Sequence, residues 1–231
     1  MRAILIVFSL FLSLALPVYG QQTYVGRYDA YGGFMDLNTP LINLNEQGFN
    51  LQTGVRFAKW LSGGFDYTIG NGTTSLTPTM LIPSLQQSLG AQFGQMAAAG
   101  LIPPGYKLSV RTSTRTENYA VGPQVSYRHF SAVTLFVRPD LGALHVVATP
   151  HPGDPIADEV IAQLTPSGKK TDWTYYFGFG GGFEVNIARH FAIRVQADFV
   201  HDNMMSDLLP GHNEVRFSIG PGLQWGRNMV E

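Results

Sequence analysis

The residues with the most chemical potential gather near the end of the chain. His201, His212 and Ser206 lie close in sequence to Asp202, Asp207 and Glu214. Together they hold the ingredients of a serine–histidine–acid triad, in which a carboxylate orients the histidine that takes the serine proton. A lipid A-modifying hydrolase working at a membrane rim would use such a set. No local motif fixes their geometry, and the same residue types are common in polar loops. Asp154, Asp158 and Glu159 offer carboxylates to a divalent cation, but their spacing matches no calcium loop, so a solvated acidic face is the better reading. Gly178, Gly180, Gly181 and Gly182 sit inside a strand pattern, whereas a phosphate cradle needs a strand-to-helix turn. They make room for large neighbours instead. His129 and His190 each stand in an Arg-His-Phe turn, where contact with lipid headgroups accounts for them. The chain has no cysteine, hence no disulfide, no thiolate metal site and no lipid-anchoring thiol. No catalytic residue, metal site or cofactor is expected.

The elements that position these residues show themselves through alternation with period two. Phe49, Leu51, Thr53, Val55 and Phe57 alternate with polar or small residues, and Leu61, Gly63, Phe65, Tyr67 and Ile69 follow after a two-residue turn at Lys59-Trp60. The pairing recurs over Tyr119–Tyr127 and Val133–Leu141, and again over Trp173–Ile187 and Phe191–Phe199. An opening strand holds Tyr24, Tyr28, Ala30 and Phe34; a closing strand runs from Val215 to Trp225. These make eight strands. Short connections near 59–60, 128–131 and 188–190 alternate with long ones near 36–46, 71–112, 146–172 and 202–213, the asymmetry of short periplasmic turns and long outer loops. The reading is an all-β, eight-stranded antiparallel up-and-down transmembrane barrel whose extracellular loops contain short helices.

Alternation alone does not say which face is apolar, since a soluble lipocalin-like barrel would give the same period with an oily interior. The polar phase decides. It is mostly Gly, Ser, Thr, Gln and Asn, and only 13% of the chain is charged, against about 25% in soluble domains. Arg27, Arg56, Arg138, Arg194 and Arg216 share that phase with Asp29, Asp66, Asp140, Glu184 and Asp198, with no lysine among them. Arginine's planar fork suits paired carboxylates, and a narrow interior demands pairing because an isolated buried ion costs several kcal/mol, roughly. These residues are expected to form a lumen charge network, with Arg138 and Asp198 facing each other. Tyr24, Trp60, Tyr127, Trp173, Phe191 and Trp225 fall near strand ends in the apolar phase and are expected to form aromatic girdles at the two membrane interfaces.

Residues 1–20 read as a secretory signal: Arg2, an apolar run from Ile4 to Leu16, Pro17, then Val18-Tyr19-Gly20. The run is shorter than the roughly 20 residues of a spanning helix. Residues 21–231 form the barrel domain. In the longest loop, Pro83 opens a helix to about Ala99 with Leu85, Leu89, Phe93 and Met96 on one face, which covers the barrel mouth or offers a face to a surface ligand or partner protein. A second short helix is expected over Ala157–Leu164. Net charge near zero argues against nucleic acid.

The strands Phe191-Ala-Ile-Arg-Val-Gln-Ala-Asp-Phe199 and Val215-Arg-Phe-Ser-Ile-Gly-Pro-Gly-Leu-Gln-Trp225 resemble the last two strands of the OmpA-like/OmpX-like, porin-family outer-membrane barrels. The resemblance spans about 23–227 and lies in hairpin spacing and lumen charges rather than in one sharp motif. It implies residence in the cell outer membrane of a Gram-negative envelope, lipid as a partner, and the barrel assembly machinery as a partner during insertion, with the last strand as signal. It departs from the family in that Gly226 to Glu231 follow Trp225, where the terminal strand usually stops on an aromatic. No segment remains for a peptidoglycan-binding domain. The functional expectation is a monomer acting in envelope structure or surface interaction through its loops; a narrow porin-like channel and a lipid A-modifying hydrolase are the alternatives.

Overall fold

The computed structural model describes residues 22–103 and 105–230; the expected signal at 1–20 lies outside them. Eight strands follow one another around a closed barrel, β1 (Gly26–Thr39), β2 (Leu44–Ala58), β3 (Leu61–Leu76), β4 (Val110–Tyr127), β5 (Val133–His151), β6 (Lys170–Ala188), β7 (Phe191–Asp202) and β8 (His212–Asn228). Every neighbouring pair is antiparallel, and β8 closes on β1, for example through Ala30 opposite Leu223. Closure leaves no unpaired strand edge. Register shifts at Gly26/Tyr28, Arg56/Ala58 and Asn186/Ala188 all fall at the short-turn end, where bulges commonly end pairing at barrel rims.

The long connections are shorter than the sequence pattern suggests, because the strands carry on. The connection expected over 36–46 is a single 3-10 turn, Pro40–Ile42, closed by Asn43 at φ 48°; asparagine tolerates that left-handed conformation. Strands of 15 to 19 residues in β2 to β6 exceed the roughly 9–11 needed to cross a bilayer. The excess projects at the long-loop end.

Side-chain polarity inverts along the barrel. Over the lower part, the outer face is apolar: Phe49, Leu51, Phe65, Val121, Leu141, Phe177, Phe179, Phe199 and Phe217 are exposed, Leu141 by 67%. The inner face there carries buried Asp66, Arg138, Arg194, Gln196, Asp198 and Arg216. Toward the long loops the outer face turns polar, through Asn45, Gln47, Asn71, Thr73, Arg111 and Arg115, while Met35, Leu37, Leu44, Leu144 and Val146 fill the inside. The upper lumen thus holds an apolar cluster beside a smaller set of buried polar side chains, among them Thr39, Glu46 and Glu214. A cavity the width of eight strands is just wide enough for side chains to fill it.

Two loop helices cap the cluster. α1 (Pro83–Ala98) starts on Pro83, whose missing N–H costs nothing at that position, and stops before Gly100 at φ 69°. Leu89 is buried in the core cluster, with Leu85 and Phe93 packed against it. α2 (Pro155–Leu164) is capped by Asp154, whose carboxylate accepts from the Ile156 and Ala157 N–H groups at 3.0 and 2.9 Å. Ala157 and Val160 turn into the core.

Candidate functional site

The lumen holds the largest concentration of buried chemistry. Its sequence period sets the arrangement: even-numbered residues of β2 to β8 point inward, so charges spaced by two along a strand stack in the interior. Near the short-turn end, Arg56 pairs with Asp29 at 2.8 Å and also donates to the Gly26 carbonyl. Arg194 donates from Nε to Glu184 at 3.0 Å and lies over the Phe136 ring at 4.6 Å. Higher up, Arg138 reaches Asp66 at 3.1 Å and Asp140 at 2.8 Å. Arg216, fully buried, donates from Nε to Asp198 at 3.0 Å and from Nη1 to Thr68 at 2.9 Å. Gln52 donates to Asp66 at 2.9 Å and Gln196 to Asp198 at 2.8 Å, so each carboxylate has a neutral donor beside its cation. Two inward glycines make this packing fit. A Cβ on Gly180 would meet the Asp198 carboxylate at 1.8 Å, and one on Gly142 would meet the Tyr176 ring at 2.6 Å.

Nine of the ten residues proposed for a lumen network therefore stand together. Arg27 does not: it is exposed, with its guanidinium 5.9 Å from the Tyr28 ring, because the register shift between Gly26 and Tyr28 takes it out of the alternation. Arg138 and Asp198 do not pair directly either. Each bonds within its own neighbourhood, and Asp66 lies between, 3.1 Å from Arg138 and 3.7 Å from Arg216. Arg128, read as a turn residue, folds its guanidinium into the barrel end and donates to Gln22 and Thr134 at 3.1 Å. Glu46, Asp202, His212 and Glu214 are further buried polar residues in the upper lumen. Their inward parity was the available signal.

Of the expected girdle residues, Tyr127, Trp173 and Trp225 are exposed on the outer face, Phe191 is half-buried there, and Trp60 is exposed on the β2–β3 turn. Toward the long loops, Tyr67, Tyr119 and Trp173 form a file with ring centroids 5.2 and 6.1 Å apart. Tyr24 departs from the expectation. It precedes β1, is buried, donates to the Gly226 carbonyl at 2.9 Å and meets the His190 ring edge-on at 4.8 Å.

The hydrolase ingredients are dispersed. His201 points outward and bonds Asn213 at 2.8 Å, His212 points inward, and Ser206 is exposed in the loop between them. Asp154 serves as the α2 cap. The Ala157 N–H, and after it the Tyr106 hydroxyl and the Ile156 N–H, hold its carboxyl below the usual range against the opposing effect of burial. Tyr106 in turn is pushed up to about 12 by burial and by that carboxylate. Between the cap and the barrel, Leu81, Leu89, Leu108, Val160, Leu164 and Leu208 line an apolar cavity of about 70 Å³. That is well under the roughly 150 Å³ of an apolar cavity known to admit benzene, so it is a packing gap.

No family model matches the chain, and no curated protein matches it in sequence. Solved structures do match in fold. Neisserial surface protein A is similar at a TM-score of 0.52 and 9% identity, over 86% of this chain and 96% of that one. The outer membrane protein OprG from Pseudomonas aeruginosa is similar at 0.52 and 10%, over 88% and 97%. With strand number, closure and an apolar belt around a charged interior already in place, the chain has the fold of the eight-stranded, OmpA-like/OmpX-like outer-membrane β-barrels.

Proposed function

We propose that this protein resides in the outer membrane of a Gram-negative envelope as a closed, non-enzymatic barrel that acts through its rigid extracellular cap. Its outer belt meets the lipid, the short turns face the periplasm, and β8 carries the signal read by the assembly machinery. The cap, formed by 77–109, 152–169 and 203–211, contributes to envelope integrity or offers a surface to a ligand or partner.

One observation carries this reading: the lumen is filled from end to end. Paired charges occupy the lower part, and Leu44, Leu144 and Val146 occupy the upper part beneath Met204, Met205 and Leu209. A water path would have to break buried ion pairs, each costing about 3–5 kcal/mol when one partner is lost, and then pass the apolar cluster packed under the cap. Planar bilayers containing the refolded barrel test it. The expected record shows no stable conductance steps; a steady ohmic current from a single barrel overturns the closed reading in favour of a narrow channel.

A further inference from the structure

At the root of the loop between β7 and β8, three donor side chains converge: Asp202, His212 and Glu214, each 1% exposed or less. His212 Nε2 lies 3.4 Å from Asp202 Oδ1 and 3.8 Å from Glu214 Oε1, and the three donor atoms lie within 4.8 Å of one another. No other set among the described residues brings three such groups together. The other bonds of these side chains are already assigned. Met204 N–H donates to Asp202 Oδ1 at 2.9 Å, and the Thr39 hydroxyl donates to Glu214 Oε1 at 2.8 Å. His212 Nδ1 lies 3.1 Å from the Pro210 carbonyl. A carbonyl only accepts, so Nδ1 carries the proton and the lone pair of the neutral ring sits on Nε2.

That leaves His212 Nε2, Asp202 Oδ2 and Glu214 Oε2 buried with no hydrogen-bond partner. Glu46 Oε2, also in the upper lumen, is another such atom. Arg216, two residues along β8, gives Nε to Asp198 and Nη1 to Thr68, while its Nη2 has no hydrogen-bond partner. Other buried atoms of the barrel also lack a hydrogen-bond partner, but only here do an imidazole and two carboxylates each leave one within a single cluster, which calls for a missing partner. A lone pair aimed at two carboxylates is repulsive unless a proton or a metal cation lies between them.

We propose that Asp202, His212 and Glu214 bind a divalent transition-metal ion of the zinc class, which fastens the fourth long loop to the barrel. Imidazole nitrogens and carboxylate oxygens are both donors to Zn²⁺, and three of them leave the fourth tetrahedral position to water. Tetrahedral bonds of about 2.0–2.1 Å place donors roughly 3.4 Å apart, so the 3.4 Å histidine–Asp202 separation already fits, and the 3.8 Å to Glu214 and the carboxylate–carboxylate separation close by small rotations. The Pro210 carbonyl holding Nδ1–H is the usual device that orients a ligating histidine. The ion would tie β7 to β8 directly beside Met204, beneath the cap.

The test uses the whole refolded barrel in detergent, stripped with chelator and dialysed against Zn²⁺, with bound metal measured by elemental analysis. The expected result is one Zn²⁺ per barrel, unaffected by excess Mg²⁺, retained in His201→Ala and weakened at least about tenfold in His212→Ala and in the Asp202→Asn/Glu214→Gln pair, since even residues that only support metal ligands cost about 10–100-fold. No bound Zn²⁺ in the parent, or equal binding in all variants, overturns the proposal; the former would leave His212 as an imidazolium paired with the two carboxylates. Should the His212 variant fail to fold, Co²⁺ loading of the parent decides. An intense visible spectrum of four-coordinate Co²⁺ supports the site, and the pale spectrum of six-coordinate Co²⁺ overturns it.

Discussion

Replacing Arg216 with methionine removes the most deeply buried cation of the lumen while keeping most of its volume. In the native barrel its guanidinium neutralises Asp198 at 3.0 Å, holds Thr68 at 2.9 Å and lies 3.7 Å from Asp66. Asp66 keeps Arg138 at 3.1 Å and the Gln52 amide at 2.9 Å, so its loss is partial. Asp198 keeps only the Gln196 amide, at 2.8 Å, and becomes a buried charge without a counter-ion. Stranding one member of a buried pair costs about 3–5 kcal/mol; the surviving amide donor places the expectation near 3 kcal/mol. Against a total stability of roughly 5–15 kcal/mol for a folded domain, that loss is readily measured. Urea titrations of the barrel in lipid vesicles, read as the folded and unfolded bands on unheated gels, give the midpoint. Lys59, exposed on the β2–β3 turn, is the control, and Lys59→Ala should stay within about 0.5 kcal/mol. Adding Asp198→Asn to Arg216→Met removes the stranded charge and should recover part of the loss, a coupling of about 0.5–3 kcal/mol. Equal midpoints for Arg216→Met and Lys59→Ala would refute the idea that these charges hold the interior together.

Further expectations concern packing, depth and the cap. Gly180→Val drives a side chain into the Asp198 carboxylate and should cost about 1–3 kcal/mol by overpacking, measured by the same titration. Val137→Arg places a charge on the apolar outer face of β5 and should cost about 2–4 kcal/mol in a bilayer if that position lies at its middle, whereas Thr73→Arg, above the apolar belt, should cost about 0–1 kcal/mol. Asp154 has a depressed folded-state pKa, so its stabilisation of α2 is complete above its ordinary value near 3.9 and disappears as pH falls through the lower folded value. Pepsin, active in that range, should begin to cut 152–169 only below about pH 4, and in Asp154→Ala should cut it already at about pH 5; equal cleavage of both proteins at the higher pH would remove the cap from the account.

Much of the architecture was legible because a membrane barrel writes its two faces into alternate residues. Phe49 to Phe57 and Phe191 to Phe199 announce strands, and the turns at Lys59-Trp60 and Arg189-His190 announce their pairing. The helix at Pro83 showed in Leu85, Leu89 and Phe93 and in the glycine and prolines beyond it. The upper barrel was harder to read, because its strands continue past the apolar belt with the opposite polarity. Asn45 and Gln47 outside, with Leu44 inside, look like a loop to an eye seeking apolar residues in the outward phase. The same inversion hid Glu46 among supposed loop residues and left Glu214 out of the expected lumen charges. Pairing partners were beyond reach for a different reason: parity tells which face a charge takes but not its height against strands far away in sequence, so Asp66 could not be chosen over Asp198 as the partner of Arg138. Arg27 and Tyr24 were misplaced by features at the barrel base, a register shift and a segment that folds back under the rim.

The central claim is that the apolar belt of the lower barrel lies against lipid. The native chain has no cysteine, so single cysteines bearing an environment-sensitive fluorophore can be placed at Val137 and Val195 on the belt, and at Asn45 and Ser113 above it. In vesicles with brominated acyl chains, the account predicts strong quenching at the two belt positions and little at the upper two. Belt probes that escape the bromines and react freely with a water-soluble thiol reagent would contradict it.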